Sequence, residues 1–316
     1  MDLLQAFSQQ AAFINAEVVP WVLRLVMAGL GLSLTLADFK RVVVFPKAAS
    51  IGLVGQLVGM PLTAFVLALL FNPPPFIAVG LVIVAACPSG ITSNAYSFAA
   101  RADVPLCVTL SAVTSVITVF TIPFLINLAL QTFGDQGQLG ALPVLPMLLG
   151  LASYTLLPLV IGMIVRARFP GFATRAVEPL RKSVLYLMAV VLILGVASSY
   201  RQLIEHAATA GGLVIAMNLV TMGLGYGLAR LFSLSTAQAV TITFEVGVQN
   251  LALSFAINFN MLQRPDLAIT GLIYAAIMPA TALAFVSIGR RLITAEEHAA
   301  AATADPKVGP YTMGDR

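Results

Sequence analysis

Apolar residues along this chain gather into runs of about 20, broken by short polar or proline-rich stretches, and such a run is long enough for an α-helix to cross roughly 30 Å of hydrocarbon. The pattern predicts an all-α polytopic membrane protein with nine spans. The first four are Val18 to Leu36, Ala48 to Phe71, Phe76 to Ala100 and Val104 to Leu130. The fifth is Leu142 to Val165 and the sixth, the shortest, Val184 to Val196. Gly211 to Phe232, Ala237 to Leu262 and Leu267 to Ile288 complete the set. Asn72 and Pro73 to Pro75 form a stiff turn before the third span, since proline neither continues a helix nor donates a backbone bond.

The membrane domain therefore covers 18–291, in two halves, 18–165 and 184–291, joined by a basic cytoplasmic linker at 166–183. Residues 1–17 hold Gln5, Ser8, Gln9, Gln10 and Asn15 and are too polar for a span, but Leu3, Leu4, Phe7 and Phe13 suit an interfacial helix. Residues 292–316 read as a disordered cytoplasmic tail.

Composition agrees with the bilayer as solvent: 59% of the residues are hydrophobic and 9% charged, where a soluble domain carries about a quarter charged. The net charge of +4 forms no continuous basic stripe, which removes a nucleic-acid partner. The basic residues instead report topology. Lys40, Arg41, Arg101, the linker, Arg230, Arg290 and Arg291 fall on one side, and Arg201 and Arg264 on the other. By the positive-inside bias the N-terminus is outside and the C-terminus cytoplasmic, as in a bacterial inner (cell) membrane protein. No positive n-region of a cleavable signal precedes Arg24. Cys87, Cys107, His206 and His298 show no metal-ligand spacing, so no cofactor is expected.

Two spans are interrupted by chemistry. The third contains Cys87-Pro88-Ser89-Gly90 followed by Ile91-Thr92-Ser93-Asn94, which predicts a helix broken near the midplane, or a simple proline kink. The eighth contains Phe244-Glu245-Val246-Gly247-Val248-Gln249-Asn250, a carboxylate and two amides deep in an apolar run. A charge at that depth costs about 2.5 to 3.5 kcal/mol on insertion scales and calls for a partner. Arg24, near the outer end of the first span, is poorly placed to be one. Glu245, Gln249, Asn94, Ser93 and freed backbone carbonyls are hard oxygens that suit sodium; the alternative is a protonated Glu245 held by hydrogen bonds in the core. Half-helix N-termini suit an anion. Each set of four spans, one to four and six to nine, has its interrupted helix third, and an offset of five spans makes the sets an inverted repeat.

These two motifs, with Gln56 in the second span, resemble those of the bile acid:sodium symporter family, and the likeness runs from about Leu25 to Arg291. The resemblance implies a core domain around two crossing broken helices and a panel of spans one, five and six, with the substrate between them. The nine spans resemble the animal-type topology rather than the ten-helix form of many bacterial members. One sodium site would comprise Ser93, Asn94, Cys107, Ser111 and Glu245, with Cys107 where the family usually has serine and Ser111 where it has threonine. A thiol is a poor ligand for a hard cation, so the departure weakens this site or moves the contact to the backbone carbonyl. The second site would comprise Gln56, Glu245, Val246, Val248 and Gln249; Thr92 and Asn250 would meet the substrate or serve only as helix caps. The function so implied is sodium-coupled symport of a small organic anion by alternating access. A proton-coupled carrier using Glu245 and a non-transporting sensor are the alternatives. An enzyme is disfavoured, since the spans hold one deep carboxylate and no histidine.

Overall fold

The computed structural model describes residues 3–44, 46–134 and 142–303. Its elements are helices throughout, and among the described residues six are long and apolar enough to cross a membrane on their own. Two shorter apolar helices, Pro75–Ala86 and Leu251–Met261, belong to interrupted spans.

Helix α1 runs Leu3–Ser33, so the polar start expected to be a separate interfacial segment continues the first span without a break. The side chains of residues 3–16, on which the interfacial reading depends, lie outside the described ones. A short amphipathic helix, α2 (Leu36–Val44), leads to the second span, built of α3 (Pro46–Val54), a π-helical turn (Gly55–Gly59) and α4 (Met60–Phe71). Asn72 closes α4 in the left-handed region at φ 43°, and the proline turn follows. The third span is split into α5 (Pro75–Ala86) and α6 (Ile91–Ala99), and α7 (Val104–Phe133) is the fourth. The fifth joins α8 (Val144–Leu151), a π-turn (Ala152–Leu156) and α9 (Leu157–Arg168).

Helical hydrogen bonding then continues from Pro170 to Leu231 as α10, taking in most of the basic linker and both the sixth and seventh expected spans. This element is folded over. Met188 lines a cavity with Asn250, while Asn218 donates to the carbonyl of Gly247, three residues from Asn250 in sequence. A straight helix would hold Met188 and Asn218 about 45 Å apart. The two arms of α10 thus occupy the places of two spans, Pro170–Ala197 and Ser199–Leu231, and His206 packs edge-on against Phe76 at the start of α5.

The eighth span is split into α11 (Thr236–Gly247) and α12 (Leu251–Ala256), the latter extended by a π-turn (Ile257–Met261). The ninth, α13, runs Ala268–Thr303 and overruns the stop expected at Arg290 and Arg291. The correction has a local cause: residues 295–303 are largely alanine and glutamate, strong helix formers. The remainder of the expected tail, 304–316, lies outside the described residues, as does most of the polar segment before Leu142.

Helix α1 packs against α9 and the first arm of α10, the grouping expected of a panel. The approach to α9 is close because both helices present glycine: a Cβ on Gly31 would sit 2.1 Å from the Leu159 carbonyl, and one on Gly162 2.4 Å from that of Ala28. The core gathers α5, α7, α11, α13 and the second arm of α10, and its largest fully buried side chains include Tyr274, Phe244 and Phe255.

Candidate functional site

Each interruption follows from its residues. A residue before proline is driven out of the helical region, and Cys87 accordingly sits extended at φ −68°, ψ 150° ahead of Pro88. The eighth span has no proline at its break. Gly247 ends α11 where a Cβ would lie 2.3 Å from Met222 Cγ, Val248 is extended, and Asn250 starts α12 by accepting the Leu253 N–H at 3.2 Å. The two breaks meet. Ser89 and Gln249 form an antiparallel backbone bridge, and the Asn250 N–H donates to the Pro88 carbonyl at 2.9 Å.

A broken helix leaves carbonyls that lipid cannot satisfy. Here Asn218 Nδ2 donates to the Gly247 carbonyl at 2.9 Å and the Tyr274 hydroxyl donates to it at 2.8 Å. Asn218 is held in turn by Thr281, which donates to its Oδ1 at 2.6 Å. Sequence reasoning missed these three, although a polar residue inside an apolar run was the same signal that exposed Glu245.

Glu245 is fully buried and ringed by small donors. Ser111 reaches both carboxylate oxygens at 3.0 and 3.2 Å, Ser93 and the Cys107 thiol each reach Oε2 at 3.2 Å, and Ser89 donates to Oε1 at short range. Ser89 was quoted in the motif but not expected at the carboxylate. Asn94, the remaining member of the expected first set, makes no such bond; its Oδ1 is buried and unpartnered among the described residues.

Beside this cluster lies an amide pair. Gln56, carried on the π-turn of the second span, donates from Nε2 to Gln249 Oε1 at 3.0 Å and to the Cys87 carbonyl at 2.9 Å. Gln249 Nε2 donates to the Val246 carbonyl at 2.7 Å. Of the expected second set, Gln56, Gln249 and Val246 are thus assembled, while Val248 and Glu245 make no hydrogen bond to them.

The crossing opens on a cavity of about 320 Å³ lined by Gly90, Thr92, Gln249 and Asn250 on the broken helices and by Val26 and Met188 on the panel. Both Thr92 and Asn250 therefore face it, and Asn250 Nδ2 is buried without a partner among the described residues. Arg24 is not among the residues that line this cavity; its guanidinium carbon lies 4.8 Å from the ring centroid of Trp21 and 4.8 Å from that of Tyr154.

The profile of the Sodium Bile acid symporter family matches residues 20–206. An uncharacterized sodium-dependent transporter, YocS of Bacillus subtilis, is 31% identical over 238 residues, which is 74% of this chain and 71% of that protein. A probable chloroplastic sodium/metabolite cotransporter, BASS1 of rice, is 29% identical over 72% of this chain, and mouse sodium/bile acid cotransporter 4 is 29% identical over 73%. The matched stretches span about half the length of those two relatives, 54% and 53%. With a profile match across more than half its length and this degree of identity, the chain is an integral membrane transporter protein of the sodium bile acid symporter family.

Proposed function

We propose that this protein is a sodium-coupled symporter of a small organic anion, working by alternating access of the core against the panel. The observation that carries the reading is the buried Glu245 at the crossing, compensated by hydroxyls and a thiol but by no cationic side chain among the described residues. A carboxylate so placed is suited to an exchangeable cation. Ser93, Asn94, Cys107, Ser111 and Glu245 are assigned to one sodium ion, and Gln56, Glu245, Gln249 and the carbonyls of Val246 and Val248 to the other. The second site needs a small rearrangement, because the Gln56 amide now directs its NH₂ group at the Cys87 carbonyl and Gln249 Oε1. Turning that amide over would present an oxygen instead.

The anion is assigned to Thr92 and Asn250, which line the cavity where α6 and the helix from Leu251 to Met261 begin, at the positive ends of the two helix dipoles. Apart from Gln249 and Tyr96 the wall around them is apolar, which suits a carboxylate with a hydrocarbon body. The basic residues favour an outside N-terminus and a cytoplasmic C-terminus in a bacterial cell membrane.

The test needs no known substrate. Thermal stability of the purified protein is measured as sodium replaces potassium or choline. A sodium-specific rise that Glu245→Ala and Gln249→Ala abolish is the expected result. A response to pH in place of sodium would overturn sodium coupling and favour a proton carried on Glu245.

A further inference from the structure

Among the described residues that line the crossing cavity there is no lysine, arginine or histidine. The charge of an anion bound there must therefore be met by neutral donors, and each one counts. Thr92 and Asn250 supply donors from their side chains, and Asn250 Nδ2 is buried without a partner among the described residues. The Asn250 N–H is already spent on the Pro88 carbonyl at 2.9 Å. The neighbouring main-chain donor is held less firmly. Gln249 lies in the break between α11 and α12, and its N–H donates to Met278 Sδ of α13 at 3.3 Å.

A thioether is a weak acceptor, whereas most buried peptide N–H groups pair with oxygen. The methionine side chain is also unbranched and flexible, so it can leave its place by rotation alone. Met278 lines the same cavity as Thr92, Gln249 and Asn250, on the face of α13 that also presents Ala275 and Pro279. A carboxylate entering there carries a full negative charge, and a charge-assisted hydrogen bond is about twice as strong as a neutral one. In a contest with sulfur for one N–H, the carboxylate has the advantage.

We propose that the Gln249 N–H is a further donor to the substrate carboxylate, and that Met278 holds this N–H in reserve and yields it to the anion. The proposal rests on reading the crossing cavity as the substrate site. Met278 is thus a positioning residue that sets affinity for the anion by competing with it for one main-chain donor.

The purified full-length protein, in sodium, is titrated with 4-methylpentanoate, and the concentration giving half-maximal thermal stabilisation is measured for the wild type, Met278→Leu and Met278→Gln. Leucine nearly conserves the volume and removes the acceptor, leaving the N–H unpaired until the carboxylate arrives. The melting temperature before titration should therefore fall, and the half-maximal concentration should fall about fivefold. Glutamine is similar in length and brings an amide oxygen, a better acceptor than sulfur, so the half-maximal concentration should rise about tenfold. Shifts of opposite sign are the signature, since a residue that served only as wall has no reason to divide these two variants in that sense. Shifts of the same sign, or none, would overturn the proposal, as would a wild type that 4-methylpentanoate does not stabilise. The effect of sodium is read in the same samples before the carboxylate is added. A sodium-specific rise without opposite shifts overturns this proposal alone. Opposite shifts without any effect of sodium uphold the main-chain donor and overturn sodium coupling instead.

Discussion

At the scale of single residues the crossing is a problem of oxygen supply. Cys107 puts sulfur 3.2 Å from Glu245 Oε2 at a place otherwise served by serine hydroxyls. Sulfur is a soft donor and sodium a hard cation, so Cys107→Ser is expected to lower the sodium concentration for half-maximal thermal stabilisation about tenfold, equivalent to about 1.4 kcal/mol. The Gly247 carbonyl gives a second prediction. Tyr274→Phe removes one of its two donors and is expected to cost about 1 kcal/mol; Asn218→Leu removes the other donor together with the bonds Asn218 makes to Tyr274 and Thr281, and is expected to cost about 1 to 3 kcal/mol. Ranking the melting temperatures of the two variants checks this. Glu245 and Gln249 are legible in the sequence because each is costly in an apolar run, whereas the role of Gln56 was implied by resemblance. Asn218 carries the same signal and was passed over, while Ser89 and Tyr274 carry none, because a small or amphipathic side chain in a span declares no partner until the fold brings one to it.

At the scale of elements the breaks were more legible than the continuities. Pro88 and Gly247 interrupt their helices where the residue pattern placed the interruption. The polar pattern predicts a loop at Tyr200 and Arg201, yet helical hydrogen bonding continues through both, since polarity alone does not stop a helix that lacks proline or a glycine cap. The π-turns were invisible for a related reason: one extra residue in a turn leaves no compositional mark. Close packing of α1 on α9 supplies the prediction proper to this scale. Gly162→Leu, whose Cβ alone would meet the Ala28 carbonyl, is expected to separate the helices and lower the melting temperature, whereas Gly171→Ala, with nothing within 4 Å of an added Cβ, is expected to leave it unchanged. Thermal unfolding of the pair separates packing from a general effect of losing glycine.

At the scale of the whole molecule the question is how much work the two proposed cations supply. Two sodium ions with one monovalent anion move a net positive charge, worth about 2.3 kcal/mol per 100 mV. A tenfold sodium gradient adds about 1.4 kcal/mol per ion, so the drive is roughly 5 kcal/mol and supports accumulation of several thousandfold. Transport is therefore expected to be electrogenic, and uptake into proteoliposomes should rise when a potassium diffusion potential makes the interior negative. Indifference to that potential would indicate one sodium per anion and an accumulation limit of about tenfold. The grouping of α1 and α9 apart from the helices around the crossing was implied by resemblance, and apolar patterning could not have supplied it, because in lipid every span is apolar whichever neighbour it meets.

The two breaks are joined through the main chain, by the Ser89 and Gln249 bridge and by Asn250 to Pro88, not through side chains. A seam of peptide groups is indifferent to most of what is substituted along it, so the scaffold of the crossing can survive drift while the residues facing the cavity change. Descendants of such a chain could acquire new cargo without having to reinvent the joint.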